Sequence, residues 1–166
     1  MTHPTIEGDG VVLRPAMRDD LGTLRALFGD PGVYERWGGA PMPDSEISAK
    51  YLGSRSPSVE CFIVEEGGRA VGFVQYHVAD DGGAGGGMDL VLSPSERGRG
   101  LGTAVVETLV RFVARHLGWE RLTVDPDLSN PRGIHFWRTL GFAPVRLVTD
   151  DGQREPYWLM ERSPSH

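Results

Sequence analysis

Between Met88 and Thr103 the chain reads Met-Asp-Leu-Val-Leu-Ser-Pro-Ser-Glu-Arg-Gly-Arg-Gly-Leu-Gly-Thr. A strand pattern runs into a turn with glycine at 98, 100 and 102, and the turn opens a helical pattern. Glycines leave backbone N–H groups uncovered, and a helix start offers four free donors plus the positive end of its dipole. Such a turn binds anions. Arg97 and Arg99 add charge and forked donors that suit phosphate oxygens, so a ligand carrying phosphate is expected. A nucleoside-triphosphate loop would need Gly-Lys before Ser or Thr, and no Gly-Lys pair occurs in the chain. A dinucleotide fingerprint counted from Gly98 puts Thr103 where the third glycine belongs. The pattern left is Arg97-x-x-Gly100-x-Gly102.

Asp89 is the second residue with chemical meaning. An acid between Met88 and Leu90 in a central strand is costly unless it faces a polar site. Metal chemistry has no support, because His3, His77, His116, His135 and His166 show no paired ligand spacing. His77, two residues from Gln75 in a strand pattern, is a candidate for lining a substrate cleft. Cys61 is the only cysteine, which excludes an internal disulfide and fits a reducing cytosol, so a cytoplasmic location is expected. Its apolar strand setting suits a buried inert thiol better than a nucleophile. The formal net charge of −6 argues against nucleic acid and favours a cationic small substrate.

The elements that must position these groups follow from periodicity. At 166 residues the chain is expected to be one domain, burying about 70% of the surface its unfolded form exposes. No apolar run approaches a membrane span, and no basic-then-apolar leader is visible. Val11–Arg14 reads as a strand, and Asp19 or Asp20 as the cap of a helix carrying Leu21, Leu24, Leu27 and Phe28. Gly29–Gly32 breaks it, a helical piece follows around Val33–Trp37, and Asp44 is the expected cap of a third helix through Ile47, Tyr51 and Leu52. Cys61–Glu65 and Ala70–Val78 read as a hairpin, and the run Asp80–Gly87 as a flexible connection. Met88–Leu92 is the next strand. The long helix after the turn buries Leu101, Val105, Leu109, Phe112, Val113 and Leu117, and Gly118 stops it. Arg121–Val124 is a strand, and Asn130-Pro131 caps a helix running to Gly141. Ala143–Thr149 and Pro156–Met160 form a last hairpin around Asp150-Asp151-Gly152. This order is an α/β (α+β) domain.

Arg97-x-x-Gly100-x-Gly102, between a central strand and a long helix, resembles the acetyl-CoA pyrophosphate loop of the GNAT N-acetyltransferase superfamily. Asp127–Ile134 resembles the Asn-x-x-Ala segment of that family, Leu140-Gly141-Phe142 resembles its Ala-Gly-Phe ending, and the element order matches from Val11 to Met160. The resemblance implies an acyl-CoA N-acyltransferase fold over residues 1–166, with a central mixed, mostly antiparallel sheet flanked by helices. It implies acetyl-CoA as cofactor, held by Leu90, Val91, Leu92, Arg97, Gly98, Arg99, Gly100, Leu101, Gly102, Thr103, Asn130, Gly133, Phe136 and Trp137. Within the family the chain is similar to bacterial aminoglycoside 6′-N-acetyltransferases, on Trp37-Gly38-Gly39, Gln75, Met88-Asp89, Thr123–Pro126, Ser129-Asn130 and Asp151-Gly152.

That similarity implies Asp89 as base or amine anchor, Asp125 as a holder of substrate ammonium groups, and Trp37, Gln75 and Asp151 near the acceptor. A strand-end aspartate before proline is the plain alternative for Asp125. The family usually has a tyrosine where this chain has Trp137, whose indole N–H is no acid at neutral pH. His135, Ser129, Thr139 and Tyr157 are the nearby candidates to protonate the departing thiolate. Gly133 stands where the family often has alanine. The family also splays its strands near Val91 and Leu92, freeing a backbone N–H for the thioester oxygen. Two rival readings stay open. One is acyl transfer to a lysine-like, siderophore-precursor or protein N-terminal amine; the other is a catalytically silent CoA-binding module. The expected partner is a small cationic amine, with no nucleic acid and no membrane, and the chain a monomer or homodimer.

Overall fold

The structure is a computed structural model that describes residues 4–79, 84–149, 152 and 154–164. In chain order the elements are β1 (Ile6–Glu7), β2 (Val12–Pro15), α1 (Leu21–Phe28), α2 (Pro31–Tyr34), α3 (Asp44–Lys50), β3 (Val59–Glu66), β4 (Arg69–Val78), β5 (Gly85–Leu92), α4 (Leu101–His116), β6 (Arg121–Val124), α5 (Pro131–Thr139), β7 (Ala143–Val148) and β8 (Tyr157–Arg162). The strands form one sheet in the order β1-β2-β3-β4-β5-β6-β8-β7. β1 to β4 pair antiparallel in succession, as do β6 with β8 and β8 with β7. β5 and β6 pair in parallel, and α4 supplies the crossover that a parallel pair requires. The mixed sheet with flanking helices expected from the sequence is the fold observed. Among the described residues no helix is long and apolar enough to cross a membrane.

The chain divides into two compact units, one made of the chain up to His77 with Asp89–Leu109, the other of Val78–Met88 and Val110 onward. In the first, β3 and β4 turn over Gly67 and Gly68, whose φ of 59° and 78° suit the tight turn that a twisted hairpin needs. Leu24, Leu27 and Phe28 of α1 and Ile47 of α3 pack with Cys61, Ile63, Phe73 and Val91. Each such burial contributes about 1.5–3 kcal/mol. Phe28 stacks on Tyr51 at 5.2 Å, and Tyr51 meets Phe73 edge-on at 5.2 Å. Arg14 ties this unit together, donating to Asp20 at 2.8 Å and to Glu65 at 3.2 Å. Burial works against the charge on Asp20, but Arg14 and the Met17 amide outweigh it and leave its pKa below the ordinary value.

In the second unit the buried side chains include Val110, Val113, Trp119, Leu122, Val124, Phe142 and Met160. β5 joins β6 through Gly85–Arg121, Gly86–Leu122 and Gly87–Thr123. A Cβ on Gly85 would lie 2.3 Å from the Arg121 carbonyl oxygen, so only glycine permits this approach.

Several local expectations are corrected. Gly85-Gly86-Gly87 is strand rather than connection, because pairing with β6 overrides a weak local preference; residues 80–83 lie outside those described. β1 has no sequence pattern of its own, being two residues long and held by pairing with Leu13 and Val12. Pro31 begins α2 rather than breaking the chain, with the Asp30 carboxylate accepting from Gly32 N–H at 2.8 Å. Asp20 precedes α1 without capping it, since its carboxylate is taken by Arg14. Asp44 is the first residue of α3 rather than its cap, and it pairs with Arg25 at 2.7 Å. Leu117 follows the end of α4 and is exposed rather than buried.

Candidate active site

The glycine turn belongs to the first unit, and its backbone is the sequence made visible. β5 delivers the chain to Ser93, whose N–H donates to the Val71 carbonyl at 2.9 Å, and a single turn over Pro94–Glu96 leads to Arg97. Gly98 and Gly100 take φ of 81° and 78°, where side chains are strained. Ala104 N–H closes the first turn of α4 on the Gly100 carbonyl at 3.2 Å, so the amides of Leu101, Gly102 and Thr103 face out of the helix start. A Cβ added at Gly98 or Gly100 meets nothing within 4 Å. Open space over outward amides fits a pyrophosphate.

The arginine side chains do a different job from the backbone. Arg97 donates to the carbonyls of Gly32 at 3.0 Å and Leu92 at 3.3 Å, bracing the turn. Arg99 donates to Glu66 at 2.9 Å and to Glu96 at 2.5 Å. Glu96 also pairs with Arg69, and these two guanidinium groups hold its carboxyl below the ordinary range. Glu96, which sequence reasoning passed over, is thus the anchor beneath the turn. Its signal was the three-residue spacing to Arg99.

Asp89 is half-buried in β5, and its Oδ2 accepts from Gln75 Nε2 at 2.9 Å. Gln75 is itself 8% exposed and receives Arg55 Nη2 on Oε1 at 3.5 Å and the Cys61 thiol at 3.5 Å. The amide is therefore oriented with its nitrogen toward Asp89. The fold brings Gln75 and Asp89 together, and neither this contact nor that of Arg55 had a local signal. Trp37 packs against Phe28 at 5.8 Å and Tyr51 at 6.4 Å, half-buried at the edge of the aromatic core. His77 is exposed near the end of β4. Burial pushes the Cys61 thiol up to about 12, with Asp89 and Glu60 adding to the effect and Arg55 opposing it. Cys61 should therefore react with a disulfide reagent more than about 100-fold more slowly in the native protein than after urea unfolding. Equal rates in absorbance-monitored thiol titrations would overturn this assignment of an inert thiol.

The second unit carries the remaining positions. Asn130 caps α5, its Oδ1 accepting from Gly133 N–H at 3.1 Å, with Pro131 at the first helical position. A Cβ on Gly133 would sit 2.5 Å from Asn130 Nδ2, so a side chain here would require the capping amide to shift. Trp137 is 8% exposed and meets Phe136 at 4.9 Å and Phe142 at 5.2 Å, both edge-on. Phe136 and His135 line an open depression along α5 with Pro131, Arg132 and Thr139. Ser129 donates to Glu155 at 2.9 Å and Thr139 to the Phe136 carbonyl at 2.7 Å, so both hydroxyls have acceptors.

Asp125 directly follows β6 and is paired with Arg154, Nη1 to Oδ2 at 2.8 Å, while Asp127 meets the same guanidinium at 3.1 Å. Arg154 also lies 3.8 Å over the Tyr157 ring. No sequence signal marked this arginine, which stands 29 residues from Asp125. Asp151 lies outside the described residues. Among the described residues no group of three or more His, Cys, Asp or Glu could hold a metal ion.

Known proteins supply the context. Aminoglycoside N(6′)-acetyltransferase type 1 of Klebsiella pneumoniae is 28% identical over 173 residues, covering 95% of this chain and 86% of its own. Spermidine N(1)-acetyltransferase of Escherichia coli K12 is 26% identical over 137 residues, covering 80% and 73%. The solved structure of AAC(6′)-Ib in complex with ribostamycin and coenzyme A superposes with a TM-score of 0.82 at 28% identity, covering 93% of this chain and 94% of that one. The family model described as "Acetyltransferase (GNAT) family" matches residues 24–142, and with the turn, the strand before it and the helix after it in place, the chain belongs to that family of N-acetyltransferases.

Proposed function

We propose that the protein transfers an acetyl group from acetyl-CoA to an amine of a small polycation, an aminoglycoside antibiotic in the first instance. The observation that carries this reading is Asp89, an acid half-buried in β5 with its orientation fixed by Gln75, three residues before the strand end that leads into the anion-binding turn. The relatives with aminoglycoside acetyltransferase names and the acidic balance of the chain support the acceptor class.

Acetyl-CoA, when bound, supplies the activated acyl group and a thiolate leaving group. The amides at Gly98–Thr103 hold its pyrophosphate, with Arg97 and Arg99 adding positive potential and Leu90–Leu92 running alongside. Asn130, Gly133, Phe136 and Trp137 complete the cofactor contacts in this reading. An acceptor amine with a lysine-like pKa of about 10.4 is mostly protonated at neutral pH and must lose a proton before it attacks. Asp89 takes that proton, directly or through a water. A backbone N–H at Val91 or Leu92 polarises the thioester oxygen. Trp37, Gln75 and His77 border the acceptor, and Asp125 and Asp151 hold its other ammonium groups. One N-acetyltransferase domain, a cytoplasmic location and a part in antibiotic resistance belong to the same reading.

The similarity to a spermidine acetyltransferase favours a linear polyamine as the second reading of the acceptor. CoA thiol release from acetyl-CoA, measured against kanamycin-type and kasugamycin-type aminoglycosides, spermidine, lysine derivatives and a peptide, separates the two. Turnover confined to aminoglycosides is the expected result. Turnover on spermidine or on a lysine amine alone would discard the antibiotic acceptor and keep the enzyme. Silence on every amine, with acetyl-CoA still bound, would discard the enzyme.

A further inference from the structure

Arg154 makes more contacts than a surface arginine needs. Its Nη1 donates to Asp125 Oδ2 at 2.8 Å, and its Nη2 donates to the Asp125 carbonyl at 2.5 Å and to Asp127 Oδ1 at 3.1 Å. Its Nε reaches the same Asp127 oxygen at 3.4 Å, and its Cζ stands 3.8 Å over the Tyr157 ring. Two carboxylates, a carbonyl and an aromatic face are together the set of partners that an alkylammonium group seeks. The cluster remains within reach of solvent: the side chains of Arg154, Asp125 and Asp127 are 37%, 39% and 28% exposed. Burial works against the Arg154 charge, and the two aspartates more than offset it.

We propose that Arg154 is a specificity-determining residue, an internal cation seated on the carboxylates that would otherwise anchor an ammonium group of the acceptor. The inference rests on the reading of Asp125 as that anchor. With Arg154 in place the three side chains carry a net charge of −1; without it the two carboxylates carry −2. An acceptor with a single charged amine, already committed to the reacting position, has nothing with which to displace a forked guanidinium. An acceptor with further ammonium groups can displace it, because it offers both carboxylates new partners. Arg154 thereby weakens binding of every acceptor that uses the anchor, and narrows the advantage that further ammonium groups would otherwise give over a single amine. Half-exposed ion pairs are individually weak, so the penalty is about three- to tenfold in affinity.

The test compares wild type with Arg154→Ala, Arg154→Lys and Asp125→Asn, using calorimetric titration of kanamycin and of the mono-amine glucosamine at low salt, with CoA present. Arg154→Ala is expected to bind kanamycin about three- to tenfold more tightly with a steeper salt dependence, leaving glucosamine unchanged. Arg154→Lys, which keeps the charge but loses the fork, should fall between it and wild type. In turnover the same gain should appear in KM for kanamycin, with kcat unaltered. A purely structural arginine would give the opposite sign, with weaker binding and a lower Tm, and that result would overturn the proposal. Unchanged affinity in Arg154→Ala, with weakened binding in Asp125→Asn, would overturn it while leaving the anchor intact. Unchanged affinity in Asp125→Asn would discard the anchor and the inference with it, as would kanamycin binding to none of the four proteins.

Discussion

Asp89→Asn lowers kcat by about 10²–10⁴, the usual worth of a positioned general base. Asparagine has nearly the same shape as aspartate, and its carbonyl oxygen keeps an acceptor for Gln75 Nε2, which lies 2.9 Å from Asp89 Oδ2. The fold is therefore held while the proton acceptor is lost. Acetyl-CoA affinity should stay within about threefold, because the turn from Gly98 to Thr103 is untouched and only an interaction formed on the way to the transition state is removed. Steady-state rates on whichever acceptor the panel identifies, paired with a direct acetyl-CoA titration, read the two effects separately. Activity retained within about fivefold would remove Asp89 from the role of base.

Gly72→Ala is expected to damage the protein in a way that a substitution at a looser glycine does not. A Cβ on Gly72 would stand 2.4 Å from the Val91 carbonyl oxygen, 2.9 Å from Leu92 Cδ2 and 3.1 Å from Leu92 Cα. Two of those three atoms are backbone, so no rotamer change relieves the overlap and β5 has to move. Overpacking of this kind costs about 1–3 kcal/mol. For a chain of this length Tm falls by about 2–4 °C per kcal/mol, which gives a loss of roughly 2–12 °C. Val91 and Leu92 are also the proposed source of the N–H that polarises the thioester, so kcat/KM should drop beyond what the loss of folded protein explains. Gly22→Ala is the matched control. It lies in α1 with no atom within 4 Å of an added Cβ, and it should raise stability by up to about 1 kcal/mol. Equal Tm for Gly72→Ala and wild type would mean that β4 and β5 accommodate the methyl, and the close approach would lose its meaning.

The features legible in advance share one property: their physical cause lies within a few residues. The turn from Arg97 to Gly102 could be read because positive φ at Gly98 and Gly100 and the outward amides of a helix start are local consequences of glycine. The cap at Asn130 with Pro131 behind it is equally local. The same reasoning failed where a partner far along the chain decided the outcome. Gly85–Gly87 have no β-branched side chains to mark a strand, and their conformation comes from pairing with Arg121–Thr123. Asp20 has the right type for a cap, but Arg14 and Met17 N–H claim its carboxylate.

The candidate site divides along the same line. By itself the sequence determined which chemistry the chain can hold: an anion-binding turn, an acid placed in an apolar strand, a lone thiol suited to burial, and an N-acetyltransferase order of elements. Only the tertiary structure decided how those side chains are occupied. Gln75 is turned toward Asp89 with Arg55 and Cys61 on its other side; Glu96 gathers Arg69 and Arg99 beneath the turn; Arg154 sits on Asp125 and Asp127. The reason is that a carboxylate or an amide takes whichever donor the folded backbone brings within about 3 Å. Sequence spacing does not encode that donor when it arrives from 14, 27 or 29 residues away.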